Sequence, residues 1–129
     1  MTRNSFSFQC AFIVFGLVVS ALAFAHPSNK WRLQFSGGSH SEGEIVLQFS
    51  PKGGDAFTVH IPVPAGESEN AVAKTVTKVL RDKLPSDAFH VERDDGEDVL
   101  IKKKHGTADF DLIVVFNSVK HVRINPDRE

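Results

Sequence analysis

The chain has 129 residues with 15 basic and 16 acidic side chains, and its formal net charge is −1 at pH 7. This balance gives no electrostatic reason to expect binding to nucleic acid or to an anionic lipid surface. The single cysteine, Cys10, excludes an intramolecular disulfide, so the fold depends on burial alone.

The N-terminus predicts export. Arg3 gives a positive start, residues 10–25 are almost wholly apolar, and Ala23-Phe24-Ala25 has the small-residue pattern of a cleavage site. We therefore predict a secretory signal peptide over residues 1–25, with cleavage after Ala23 as an alternative. A membrane anchor is the competing interpretation, but an apolar run of about 16 residues is shorter than the roughly 20 that a spanning helix needs.

Cleavage after Ala25 leaves residues 26–129, which we predict to form one small α+β domain in the periplasm or outside the cell, without a stable membrane span. Arg3 is the only charged residue lost, so 14 basic and 16 acidic residues remain. About 100 residues are enough for one hydrophobic core and too few for two.

Three strands are predicted before the helix. Trp31, Leu33 and Phe35 alternate with polar residues, which indicates a half-buried strand over residues 30–36. Similar alternation predicts strands over residues 44–50 and 56–61. The Gly-rich stretch 37–43 predicts a flexible loop, and it lacks the Gly-Lys-Ser/Thr and following helix that are typical of a phosphate-binding loop.

One amphipathic helix is predicted over residues 69–84. Its apolar residues lie on one face at a period of 3.6. They are Val72, Val76, Val79, Leu80 and Leu84. Ser68 is the expected N-cap, and Pro85 ends the helix.

Four strands are predicted after the helix, over residues 88–93, 97–103, 110–116 and 119–124, with a loose polar tail over 125–129. Asp94-Asp95-Gly96 predicts a hairpin with Gly96 in the left-handed region. The expected register places Arg93 opposite Glu97, Val91 opposite Val99 and Phe89 opposite Ile101.

The strand at 110–116 is apolar on both faces, with Phe116 expected on the same face as Phe110. It is therefore expected to be central and covered on both sides, or else to meet a partner with its second face. The predicted order is βββ-α-ββββ. This order indicates an α+β fold with a mainly antiparallel sheet of about seven strands and the helix packed on it. Two sheets packed face to face are the alternative, and a single or strongly curved sheet is favoured.

Histidines are the candidate metal ligands. After cleavage at Ala25, the amine and imidazole of His26 would form a bidentate chelate for copper. His60 and His90 are predicted to point away from the core with Glu92, and on neighbouring strands they would approach zinc geometry. The favoured interpretation is that these side chains face solvent and bind no metal. His40, His105 and His121 are interpreted as dispersed surface residues, and the acidic run 94–98 as a hairpin rather than a calcium loop.

Residues 57–61 and 66–68, together with Val72, Ala73 and Val76, resemble a strand–glycine–helix element that recurs in phage tail and other extracellular assembly proteins. The resemblance implies an assembly or interaction module and carries over no catalytic residue. With no Gly-x-Ser-x-Gly elbow in the chain, we expect a non-enzymatic exported protein that binds another protein or a surface polymer through a sheet face or the Gly-rich loop. The alternative is a periplasmic copper- or zinc-binding protein.

Overall fold

The computed structural model describes residues 27–129, in which the chain forms seven strands and one helix. The strands are β1 (Lys30–Ser36), β2 (Gly43–Pro51), β3 (Phe57–Val63), β4 (Phe89–Asp94), β5 (Asp98–Lys103), β6 (Phe110–Asn117) and β7 (Arg123–Arg128), and the helix is α1 (Glu69–Lys83). The predicted order βββ-α-ββββ and the α+β class are confirmed. The predicted signal peptide and His26 lie outside the described residues.

The strands form two antiparallel sheets, so the preference for a single curved sheet is wrong and the two-sheet alternative is correct. One sheet has the order β4-β5-β1-β7 and the other has the order β3-β2-β6. Each sheet has an apolar inner face, because alternate residues of a strand point to the same side. The two inner faces bury each other, which a single sheet with one helix could not achieve for seven strands.

Aromatic rings join the two sheets at the centre of the core. The ring of Phe49 on β2 lies 5.6 Å from that of Phe89 on β4, and Phe89 lies 5.1 Å from Phe110 on β6. Both contacts are edge-to-face, the arrangement that the ring quadrupole favours. Other side chains that both sheets bury completely include Leu33, Ile45, Leu47, Ile61, Val99 and Ile101.

The helix forms where its local signals predict it. The Ser68 side chain accepts a hydrogen bond from the Ala71 backbone N–H at 3.2 Å, and Leu84 is an extended C-cap before Pro85. Val72, Val76 and Leu80 are fully buried. The helix packs against β3 and β4, which are edge strands of different sheets. We call the side of the molecule on which α1 covers β3 and β4 the closed side.

The β4–β5 hairpin keeps the predicted face but shifts the predicted register. Asp94 pairs with Asp98 and Arg93 with Val99, so the loop is Asp95-Gly96-Glu97. Gly96 has φ 80°, as predicted, and Asp95 also has a positive φ, 49°. The shift is by an even number of residues, so the same side chains face the core.

Arg32 explains why two aspartates can oppose each other in this hairpin. Its Nη1 lies 3.2 Å from Asp94 Oδ2 and 2.7 Å from Asp98 Oδ2, which offsets the like-charge repulsion of the pair. Hydrogen bonds to Glu129 and Asp98 raise the pKa of the Arg32 guanidinium, so it is charged at every accessible pH.

The last strand does not lie where it was predicted, over residues 119–124. Residues 119–122 form a turn that buries Val119 and Val122, and the expected loose tail is β7, antiparallel to β1 from Ser36–Arg123 to Trp31–Arg128. The tail is ordered by backbone pairing to β1 and by Glu129 Oε2, which lies 3.3 Å from Arg32 Nε. Such pairing leaves little trace in a polar sequence.

Candidate functional site

The predicted zinc ligands lie on separate sheets. His60 is on β3, whereas His90 and Glu92 are on β4, and these strands do not pair. His60 Nδ1 lies 3.2 Å from Glu44 Oε2, and His90 Nε2 lies 3.7 Å from Glu92 Oε2. The neighbouring strands that the zinc hypothesis required are therefore not present.

Glu92 already has a cationic partner. Lys102 Nζ lies 2.9 Å from Glu92 Oε1, and this hydrogen bond, with the lysine charge, lowers the pKa of the Glu92 carboxyl. In the described range 27–129, no three or more His, Cys, Asp or Glu side chains come together as metal ligands. Metal binding by His26, His60, His90 and Glu92 stays a prediction.

The structure also brings together two histidines that the sequence analysis treated as dispersed. The rings of His40 and His121 have centroids 3.9 Å apart with an interplanar angle of 34°. His40 is in the Gly-rich loop and His121 in the β6–β7 turn. The His40 N–H donates to the Lys120 carbonyl at 3.1 Å, so the contact depends on loop docking and has no signal in local sequence.

The Gly-rich loop is tied to the rest of the molecule through Ser39, which is only 2 % exposed. The Ser39 hydroxyl donates to the Pro64 carbonyl at 2.7 Å and accepts from the Glu67 N–H at 2.8 Å. At Gly37, where φ is 82°, an added Cβ would overlap the carbonyl oxygen of His121. The Ser39 backbone is bonded as well: its N–H donates to the Glu67 carbonyl at 2.8 Å, and its carbonyl accepts from the Gly66 N–H at 2.7 Å, so these loop groups are already occupied.

Strand β6 is the least covered apolar element of the described chain. It is an edge strand of its sheet, so the expectation that it is central is wrong. Ile113 and Val115 are each 45 % exposed and Phe116 is 50 % exposed. Its other predicted role, meeting a partner, stays a prediction.

A β-bulge explains why Phe116 is exposed. Val46 pairs with Phe116 and Leu47 pairs with Val114, which leaves Val115 as an extra residue. The bulge reverses the alternation, so Phe116 leaves the face that it was predicted to share with Phe110. Nothing in the sequence of an apolar strand reveals which residue will be the extra one.

The second edge of β6 is largely unpaired. Among the described residues it pairs there only through Phe110, which forms an isolated bridge with Ser28. Beyond that point a groove of about 450 Å³ separates β6 from β7, the edge strand of the other sheet. Its lining includes Trp31, Ile113, Ile124 and Pro126. We call the side of the molecule with β6, β7 and the groove between them the open side.

A second hollow, which shares no lining residue with this groove, lies beside Phe116 near the end of β6. It has a volume of about 620 Å³, and Phe116 lines it with Pro62, Val63 and Pro64. Asp111 is the only charged residue within β6. The strand therefore lacks the lysine or proline that often protects an exposed edge from pairing with another chain.

No protein-family model matches the chain, and no curated protein is significantly similar to it in sequence. Within residues 27–129 no helix combines the length and apolarity needed to cross a membrane.

Proposed function

We propose that this chain is an exported, non-enzymatic binding module that takes up an extended segment of another protein along the open side of β6. The observation that carries the proposal is the exposure of Ile113, Val115 and Phe116 on a strand whose second edge pairs, within residues 27–129, only at the Phe110–Ser28 bridge. Export rests on the signal-peptide pattern of residues 1–25, and the absence of catalysis rests on the lack of a recognisable catalytic motif in the sequence.

An extended peptide is the partner that this surface favours. Between Asp111 and Val115 the edge of β6 can offer backbone N–H and C=O groups to an added strand. Alternate side chains of that strand would enter the groove towards Ile124 and Pro126, where apolar contacts are available. Backbone pairing would supply affinity, and the groove and the hollow around Phe116 would supply selectivity.

Site-specific photocrosslinking in the producing cells tests the proposal. We would place p-benzoylphenylalanine at position 113 of the full 129-residue chain, and in a matched chain at position 87, where Asp87 is exposed near the closed side. We expect position 113, and not position 87, to form an adduct that mass spectrometry identifies as another protein. Phe116→Thr in the position-113 chain should reduce the adduct at least about tenfold, because it removes an exposed aromatic contact.

The same spectra test export, since a processed chain begins at His26. Adducts of equal yield at positions 87 and 113, or no adduct at either position, would contradict the binding site. A recovered chain that keeps residues 1–25 would contradict export. An adduct with a polysaccharide would replace the protein partner by a surface polymer.

A further inference from the structure

A second groove lies on the closed side, between α1 and β4, and it is rich in cations. Its volume is about 510 Å³. The residues that line it are Lys74, Thr77, Lys78, Arg81, Asp82, Glu92 and Arg93. Four of these seven carry positive charge, in a chain whose overall charge is negative.

The helix aligns three of the cations. Lys74, Lys78 and Arg81 are spaced by four and three residues, so they lie on one face of α1. Arg93 faces them from β4. The Arg81 Nε donates to the Val91 carbonyl at 2.9 Å, which holds this side chain across the junction of helix and strand.

The groove does not neutralise its own charge. None of its four cations has a carboxylate oxygen within 4.0 Å among the described residues, whereas Lys102 and Lys103 on β5 have such partners at 2.9 and 3.0 Å. Glu92, one of the two acidic residues in the groove, is the partner of Lys102. Its charge is therefore already offset, and the groove keeps an excess of positive charge.

We propose that this groove binds an extended acidic peptide with carboxylates at alternate positions. The helical rise separates Lys74 from Lys78 by about 6 Å and Lys78 from Arg81 by about 4.5 Å along the axis. Alternate residues of an extended chain are about 6.7 Å apart, which is close to the first spacing. The row from Lys74 to Arg81 extends about 10.5 Å along the helix axis, a length that an extended peptide can follow.

The methylene stems of the lysines and arginines also suit a peptide. Such stems lie along a groove while their charged ends reach solvent, so the floor can contact a backbone while the rim pairs with carboxylates. The net charge of the whole chain gives no general attraction for polyanions. Binding therefore depends on the local arrangement of these four cations. The proposal is independent of the β6 site, because it rests on different residues on the other side of the molecule.

Fluorescence anisotropy with labelled hexaglutamate tests the proposal, using the protein produced from the full chain. The double variant Lys74→Gln/Lys78→Gln should weaken binding at least about tenfold, and added salt should weaken it further, since the contacts are exposed ion pairs. Glutamine has a helix propensity similar to that of lysine, so α1 should persist. The matched control is Lys52→Gln/Lys120→Gln, which makes the same change in net charge at exposed positions outside the groove.

The control should change the affinity by less than about twofold, because its lysines lie outside the groove. Equal losses in the two double variants would overturn the proposal, since binding would then follow net charge alone. Binding of inorganic phosphate or heparin that depends on Lys74 and Lys78, without binding of hexaglutamate, would also overturn it. Unchanged thermal unfolding of both variants would show that a loss of affinity is local.

Discussion

The closed and open sides of the molecule differ in how the junction between the two sheets is covered. On each side an edge strand of one sheet faces an edge strand of the other: on the closed side β3 and β4 both contact α1, and on the open side β6 and β7 contact each other. On the closed side α1 covers the junction and its Val72, Val76 and Leu80 are fully buried. On the open side Ile113 and Val115 are nearly half exposed.

The connections between the sheets account for this difference. The chain passes from β3 to β4 through a 15-residue amphipathic helix, which covers the junction that it crosses. It passes from β6 to β7 through the short turn at residues 118–122, whose apolar residues, Val119 and Val122, are buried in the core and do not cover the groove. An uncovered apolar edge is unusual in a stable monomer, so this side is where we place the partner.

The largest expected effect is on the closed side. Leu80→Ala should lower the free energy of unfolding by about 3–4 kcal/mol, because it leaves a cavity beneath a fully buried helix position. Urea denaturation followed by circular dichroism measures this. Asp82→Ala, at an exposed position of the same helix, should change the value by less than about 0.5 kcal/mol. Similar losses in the two variants would mean that α1 does not close the core.

The next largest effect concerns the β6–β7 turn at residues 118–122, which packs against the Gly-rich loop. Gly37→Ala should cost about 2–3 kcal/mol, because a Cβ at φ 82° is strained and would overlap the His121 carbonyl. Gly53→Ala is the matched control: its φ is 79°, but an added Cβ meets no atom within 4 Å.

The control should cost only about 1 kcal/mol, the strain of the left-handed region alone. Thermal or urea unfolding of both variants separates the strain from the steric term. If Gly37→Ala is no worse than Gly53→Ala, the Gly-rich loop does not hold the β6–β7 turn in place.

The sequence predicts the closed side better than the open side, and the reason is physical. The signals of α1 are local: the Ser68 cap, the 3.6-residue period and Pro85 all lie within one stretch of chain. The exception on the closed side is the register of the β4–β5 hairpin, in which the opposed Asp94 and Asp98 both contact Arg32, a residue distant in sequence. On the open side, the pairing of β7 is with β1, at the other end of the chain.

For the candidate site on the open side, the sequence predicted the apolar character of residues 110–116 but not their position in the fold. The two apolar faces of residues 110–116 indicated either a central strand or a partner, and the pattern alone could not place the strand at an edge. The bulge at Val115 then changed the face of Phe116. The cationic groove was missed because Arg93 joins the helical cations only through tertiary packing.

The smallest expected effect sharpens the contrast between the two sides. Ile113→Thr should change the free energy of unfolding by less than about 0.5 kcal/mol, because a half-exposed hydroxyl keeps its contact with water. The same substitution at Ile61 is the matched control. Ile61 is on β3, the opposite edge strand of the same sheet, and it is fully buried. Ile61→Thr should lower the free energy of unfolding by about 2–3 kcal/mol, since its hydroxyl would be buried without a hydrogen-bond partner.

The unfolding of both variants should be measured by urea denaturation at several protein concentrations. A large loss for Ile113→Thr only at high concentration would mean that a second copy covers the open side, and a large loss at every concentration would mean that the chain itself covers it.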